Sequence, residues 1–234
     1  MKKLLLISSS RTHGTGFLEH AEQAVKQHLE GVSRVTFIPY ALGNREAYAR
    51  LAEKAFRQFG FEMNSLHSTD DPVSMINESE AIFTGGGNTF RLLKTLYDNQ
   101  LMEPIRKRVQ AGTPYMGSSA GTNITSPTIR TTNDMPIVEP PGFAALNLIP
   151  FQINPHYLDA DPGSKHQGET RETRLKEYLE ENDVPVLGIR EGCWLKITGD
   201  SGTVEGSNGA ILFRAGQPNQ EMNTGDSLDT LLQS

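Results

Sequence analysis

An α/β fold, with a mostly parallel sheet and helices on both of its faces, is what this 234-residue sequence predicts. Three observations carry that reading. Short apolar runs alternate with segments of helical spacing through the first half of the chain. Polar loops rich in Gly or Ser follow three of those runs. Hydrophobic residues make up 36% of the chain and charged residues 21%, enough for a sizeable core and with no long block of one sign. Alternating strands and helices imply parallel βαβ units, and ligands of such sheets bind beyond the carboxyl ends of the strands.

The elements follow in order. Leu4 to Ile7 is a continuous apolar run that ends in Ser8, Ser9 and Ser10. Phe17, Leu18, Ala21, Ala24, Val25 and Leu29 give residues 17–30 a helical spacing. Val35 to Tyr40 reads as a second strand, Glu46 to Phe59 as a helix stopped by Gly60, and Phe61 to His67 as a weaker third strand. Ala81 to Thr84 is a strand running into Gly85-Gly86-Gly87-Asn88, and Phe90, Leu92, Leu93 and Leu96 continue as a helix. Another helix covers Met102 to Val109. Pro114 to Gly117 is a strand, with a helix starting from Ser119. Residues 125–147 hold Pro127, Pro136, Pro140, Pro141 and Gly142 and read as a long ordered loop, a kind that is often functional. Leu148 to Ile153 and Val184 to Ile189 are strands around a helix over Glu169 to Glu181. Trp194 to Thr198 and Ala210 to Arg214 look like a terminal hairpin. No repeat or linker interrupts the pattern, so one catalytic domain over 1–234 is expected.

Composition also excludes some functions. The net charge of −6 leaves no basic footprint for nucleic acid. The single Cys193 cannot form an internal disulfide, and no Cys/His spacing suits zinc, so no metal or other cofactor is expected. The apolar run after Lys2 and Lys3 is shorter than the roughly 7–15 residues of a signal-peptide core. No stretch approaches the roughly 18 apolar residues of a membrane span. The expectation is a cytoplasmic chain without a membrane partner.

Gly117-Ser118-Ser119-Ala120-Gly121 fits G-x-S-x-G. In that motif a strand turns sharply into a helix and exposes the central Ser hydroxyl, and the N–H of the next residue, here Ala120, becomes an oxyanion donor. Gly85 to Asn88 lacks the Lys of a phosphate-binding P-loop. It reads as a second oxyanion donor from Gly86 or Gly87, as an anion nest, or as a tight turn. A serine nucleophile needs a base and an orienting acid. Of the six His, His156 follows the strand ending at Ile153 and so falls on the active edge, whereas His166 lies in a polar loop. Glu191, just after the strand ending at Ile189, and Asp134, in the long loop, compete for the third role. Arg171 shares a helical face with Leu175, Tyr178 and Leu179, which turns it inward and calls for an anion.

These strings resemble peptidase E, the alpha-aspartyl dipeptidase family. Gly85-Gly86-Gly87-Asn88-Thr89-Phe90, the elbow motif, and Pro127 through Ile137 recur in that family's order. So do Ile153-Asn154-Pro155-His156, Gly168-Glu169-Thr170-Arg171 and Glu191-Gly192. The resemblance implies a flavodoxin-like sheet similar to the catalytic domain of class I glutamine amidotransferases. It implies no metal, a cytoplasmic location, and removal of an N-terminal Asp from Asp-X dipeptides. It carries the nucleophile to Ser119, the base to His156 and the third role to Glu191. Asn88, Asp134, Arg171 and His166 are then substrate-side candidates, with Arg171 on the Asp carboxylate. The expected partner is a small dipeptide, and a homodimer is the assembly considered. Ser118 departs from the bulkier residue, such as Trp, that the family pattern leads one to expect. Two other readings compete: a related hydrolase cutting β-aspartyl links, as cyanophycinases do, and a flavodoxin-like module that binds an anion without chemistry.

Overall fold

The computed structural model describes residues 1–160, 163 and 168–233. Its first half contains β1 (Lys3–Ile7), α1 (Glu22–His28), β2 (Arg34–Ile38), α2 (Arg45–Phe59), β3 (Glu62–Ser65), α3 (Pro72–Asn77), β4 (Ala81–Thr84), α4 (Thr89–Asp98), α5 (Met102–Gln110), β5 (Tyr115–Ser118) and α6 (Ala120–Asn123). Then come β6 (Gln152–Tyr157), α7 (Arg171–Glu180), β7 (Val186–Arg190), β8 (Cys193–Thr198), β9 (Ser201–Gly206), β10 (Ala210–Phe213), β11 (Gln220–Met222) and α8 (Asp229–Leu232).

The main sheet has the order β3-β2-β4-β5-β1-β8-β9. Its first five strands run parallel, and β8 and β9 add to the edge antiparallel. Alternation along β1 explains the layers. Leu5 and Ile7 join Val25, Phe37, Phe56, Phe83 and Met116 on one face, beneath α1 and α2. Leu4 and Leu6 join Ile82, Leu92, Leu96 and Ile105 on the other, beneath α4 and α5. A strand buried on both faces reads as an unbroken apolar run, as Leu4 to Ile7 does. Each such side chain contributes about 1.5–3 kcal/mol on burial. Local signals set the ends: the Asn44 side chain caps α2 by accepting from the Ala47 N–H at 3.0 Å, and Gly60 closes it at φ 98°. The α3 helix answers to no apolar period, but Asp71 and Pro72 are an N-cap and first-turn pair.

A second sheet has the order β11-β10-β7-β6. It corrects the hairpin expected from Trp194–Thr198 and Ala210–Arg214, because β8 and β10 belong to different sheets. β8 pairs with β9 through a two-residue turn at Gly199-Asp200, and β10 pairs with β7 and β11. The strand expected over Leu148–Ile153 lies instead at Gln152–Tyr157. Leu148 and Ile149 donate to the Thr125 carbonyl, and Pro150 has no N–H to give a ladder. His156 therefore stands inside a strand and not after one. One cluster of buried side chains spans both sheets, with Leu6 and Ile197 joined to Ile153, Leu187 and Leu212.

His28 gives the fold a pH dependence. Its half-buried ring turns Nε2 toward the Tyr115 carbonyl oxygen at 3.1 Å, and burial lowers its pKa from 6.5 to about 4. The unfolded chain therefore binds the proton that the folded chain refuses between those values. That stability is present above pH 6.5 and is lost as the pH falls toward 4. A His28→Gln variant is expected to lose less stability than the parent across that window, read by urea unfolding at several pH values. Parallel losses in both proteins would rule the imidazole out as the cause.

Candidate active site

The turn from β5 into α6 brings Ser119 to the surface of the carboxyl edge with φ 54° and ψ −111°. Backbone crowding explains its small neighbours. A Cβ on Gly117 would lie 2.3 Å from the Gly121 carbonyl oxygen, and one on Gly121 would lie 2.0 Å from that of Thr84. The Ser119 N–H donates to the Ile7 carbonyl at 3.0 Å, which leaves the hydroxyl free of the turn. Ser118 is 0% exposed and its Oγ has no hydrogen-bond partner among the described residues.

His156 Nε2 lies 2.8 Å from Ser119 Oγ, and its Nδ1 lies 2.6 Å from Glu191 Oε1. An ionised carboxylate can only accept, so Nδ1 carries the proton of the neutral ring and Nε2 is left to accept from the serine. His156 has φ 53°, and the β6–β7 register shifts between Pro155 and Tyr157. The irregularity re-aims the side chain, as bulges beside active sites do. Glu191 follows Arg190, whose guanidinium grips Asp159 at 2.6 and 2.8 Å and also pairs with Glu221. Asn208 donates to the Glu191 carbonyl at 2.6 Å.

The glycine turn lies against Ser119. A Cβ on Gly86 would sit 2.9 Å from Ser119 Cβ. The buried Tyr48 hydroxyl is packed behind the turn with the Gly86 backbone as its hydrogen-bonding neighbour; burial raises its pKa and that contact opposes the rise. The Gly87 N–H has no such competing partner among the described residues. The Ala120 N–H, at the start of α6, has no preceding helical carbonyl to bond.

Asn88 and Asp134 bond to the loop and the head of α4 around the glycine turn. The Asn88 side chain caps α4 by accepting from the Arg91 N–H at 3.0 Å, and donates to the Met135 carbonyl at 2.9 Å. Asp134 Oδ2 accepts from the Thr89 N–H at 2.7 Å and from Thr89 Oγ1 at 2.6 Å. It thus sits on the glycine turn and away from the imidazole, which Glu191 holds. Arg171 is the half-buried first residue of α7 and faces the charge of Asp134, with no ion pair to a carboxylate among the described residues. Burial and Arg174 lower its pKa, and Asp134 opposes them. His166 lies outside the described residues.

Two groups escape the sequence reading. Asn154 Nδ2 donates to the Thr131 carbonyl and Asn133 Oδ1, each at 2.8 Å, while Asn133 Nδ2 donates to the Pro155 carbonyl at 2.7 Å. This amide network lays the long loop along β6, and its signal is a buried Asn154 directly after Ile153 in the strand. The second group is Ser8, whose Oγ accepts the His156 N–H at 2.9 Å.

A hydroxyl on a strained strand–helix turn, in series with an imidazole and a carboxylate from elsewhere in the chain, is the layout of a serine hydrolase. The Peptidase family S51 model matches residues 4–204. A Peptidase E of Streptomyces coelicolor is 52% identical over 98% of this chain and 94% of its own length. A probable alpha-aspartyl dipeptidase of Drosophila melanogaster is 46% identical over 99% of this chain and 98% of its own. A crystal structure of a putative Peptidase E from Listeria monocytogenes matches with a TM-score of 0.69 and 26% identity, covering 89% of this chain and 100% of that one. The chain belongs to peptidase family S51 and is a peptidase of the serine type. Among the described residues no helix is long and apolar enough to cross a membrane, and no group of three His, Cys, Asp or Glu could hold a metal ion.

Proposed function

We propose that this chain is an alpha-aspartyl dipeptidase, hydrolysing Asp-X dipeptides through an acyl-enzyme on Ser119. The observation that carries the reading is the continuous contact from Ser119 Oγ through His156 to Glu191, at 2.8 and 2.6 Å. Ser119 Oγ attacks the carbonyl carbon of the N-terminal Asp as His156 Nε2 takes its proton. The N–H groups of Ala120 and Gly87, with Gly86 beside them, stabilise the oxyanion, where losing one donor typically costs about 10²–10³ in rate. His156 then gives the proton to the leaving amine, the peptide C–N bond breaks, and X departs. Water, activated by the same nitrogen, releases Asp.

Arg171 supplies the charge selection. A cation at a helix N-terminus opposes the helix dipole, and Arg174 one turn along adds to the repulsion. An anionic ligand relieves both, and the Asp side-chain carboxylate suits the guanidinium fork. The name of the Drosophila relative is in keeping with this substrate. We read the chain as a single cytoplasmic catalytic domain that needs no metal. The test is turnover on a panel of Asp-X, Glu-X, Asn-X and β-Asp-X dipeptides. Asp-X is expected to lead. Faster cleavage of β-Asp-X would move the chain to the β-aspartyl hydrolases, and cleavage of none would leave the substrate assignment without support.

A further inference from the structure

Of the three polar loops on the active edge, the elbow and the glycine turn have roles in the reaction above. The third, Ser8 to Ser10, touches none of the reacting groups. Ser8 is nonetheless 0% exposed, with both its N–H and its hydroxyl bonded. Its N–H donates to the Cys193 carbonyl at 3.1 Å, and its Oγ donates to the Ile189 carbonyl at 2.8 Å. The same Oγ accepts the His156 N–H at 2.9 Å. Ile189 and Cys193 each stand two residues from Glu191. Ile7, immediately before Ser8, accepts the Ser119 N–H. Two consecutive residues at the end of β1 thus hold the backbone of the nucleophile, of the base, and of both flanks of the acid.

This matters because the relay crosses two sheets. Ser119 follows a strand of the main sheet, whereas His156 and Glu191 belong to β6 and the end of β7 in the other. No ladder of backbone hydrogen bonds joins β5 to β6. His156 itself drops out of the β6–β7 register, so its N–H has no strand partner there. A non-glycine residue at φ 53° persists only where its surroundings over-determine it. A hydroxyl can accept that N–H and donate to Ile189 at once, which few other small side chains can do.

We propose that Ser8 is a positioning residue for acyl transfer: its hydroxyl docks the His156 backbone against β7 and so aims the imidazole at both Ser119 and Glu191. The proposal rests on the Ser119–His156–Glu191 reading above. Removing the hydroxyl releases the bulge, and misplacing a catalytic group by about 1 Å can cost on the order of 10²-fold.

The experiment compares variants that are folded by circular dichroism, assayed well below their melting temperatures. For Ser8→Ala, kcat on an Asp-X dipeptide and the rate of Ser119 labelling by a small fluorophosphonate should both fall about 10²-fold. KM should stay within about 3-fold, because the substrate contacts are intact. Ser8→Thr, which keeps the hydroxyl, should recover most of the labelling rate. Ser79→Ala loses a comparably buried hydroxyl bonded to Thr36 and the Met75 carbonyl, at the opposite edge of the sheet, and should label at the parent rate. If Ser8→Ala does not fold, Ser8→Cys decides, since a thiol fits the space but bonds weakly. Parent-rate labelling of the folded Ala or Cys variant overturns the proposal while leaving the relay standing; so does equal slowing in Ser79→Ala. An unlabelled Ser119 in the parent removes the relay reading and this proposal with it.

Discussion

Ser119→Ala is expected to lower turnover of Asp-X dipeptides by about 10⁴-fold or more, while Ser118→Ala keeps most of it. The two serines are adjacent, carry the same group, and differ in direction. Ser119 Oγ stands 2.8 Å from an imidazole nitrogen that is itself bonded to a carboxylate. Ser118 Oγ is sealed in the protein with no partner among the described residues, so its removal takes nothing from the reaction. Burying a hydroxyl without a partner is unfavourable, so Ser118→Ala should leave the melting temperature equal or slightly higher. Both variants can be read by steady-state kinetics and a thermal melt on the same samples. Equal loss of activity in the two would mean that the elbow is out of register.

Arg171→Met is the second large effect. It keeps the length of the side chain and removes the charge, so the carboxylate of an N-terminal Asp loses its counterion. A site built around a polar partner can reject the analogue that lacks it by about 10⁴ or more, and the variant should lose Asp-X cleavage on that scale. In the parent, Asn-X should be poor for the same reason. Glu-X should be poor because one more methylene displaces the scissile carbonyl from Ser119. Labelling of Ser119 by a fluorophosphonate requires no carboxylate site and should survive the change. Near-parental Asp-X cleavage by Arg171→Met would make the residue structural and place the acidic pocket elsewhere, with His166 the next candidate. The melting temperature supplies a further check: a cation at the head of α7 beside Arg174 is unfavourable before substrate arrives, so its loss should not destabilise the empty protein.

Much of this could be read before the structure, and the reasons are local. The strands β1, β2 and β4 of the main sheet announce themselves as apolar runs because they are buried on both faces. The elbow is visible because three chain segments pass within van der Waals contact, and only Gly at 117 and 121 permits that. The second sheet is less legible. β9 is rich in Gly and polar residues and β11 has only three residues, so neither reads as a strand and β10 seems to belong with β8. The position of His156 is hidden by Pro150 and Pro155, which disguise where the strand begins and runs; β6 tolerates Pro155 because it lies at the sheet edge. Spacing leaves Glu191 and Asp134 as rivals, since each sits in a polar loop. What separates them is distance in space: Glu191 meets the ring, and Asp134 meets Thr89. No pattern in the sequence signals that Ser8 will accept from a residue 148 positions away.

That separation has a consequence for the chain as it is made. Ser8 must wait for residues 148 and 181 positions downstream before its hydroxyl is satisfied. During synthesis from the N-terminus the elbow is complete long before the segment that carries His156 leaves the ribosome. A nascent chain that has folded its first five strands therefore holds an exposed serine with no base to activate it. On the proposed relay, activity awaits the second sheet, whose strands β6 and β7 carry His156 and lead into Glu191.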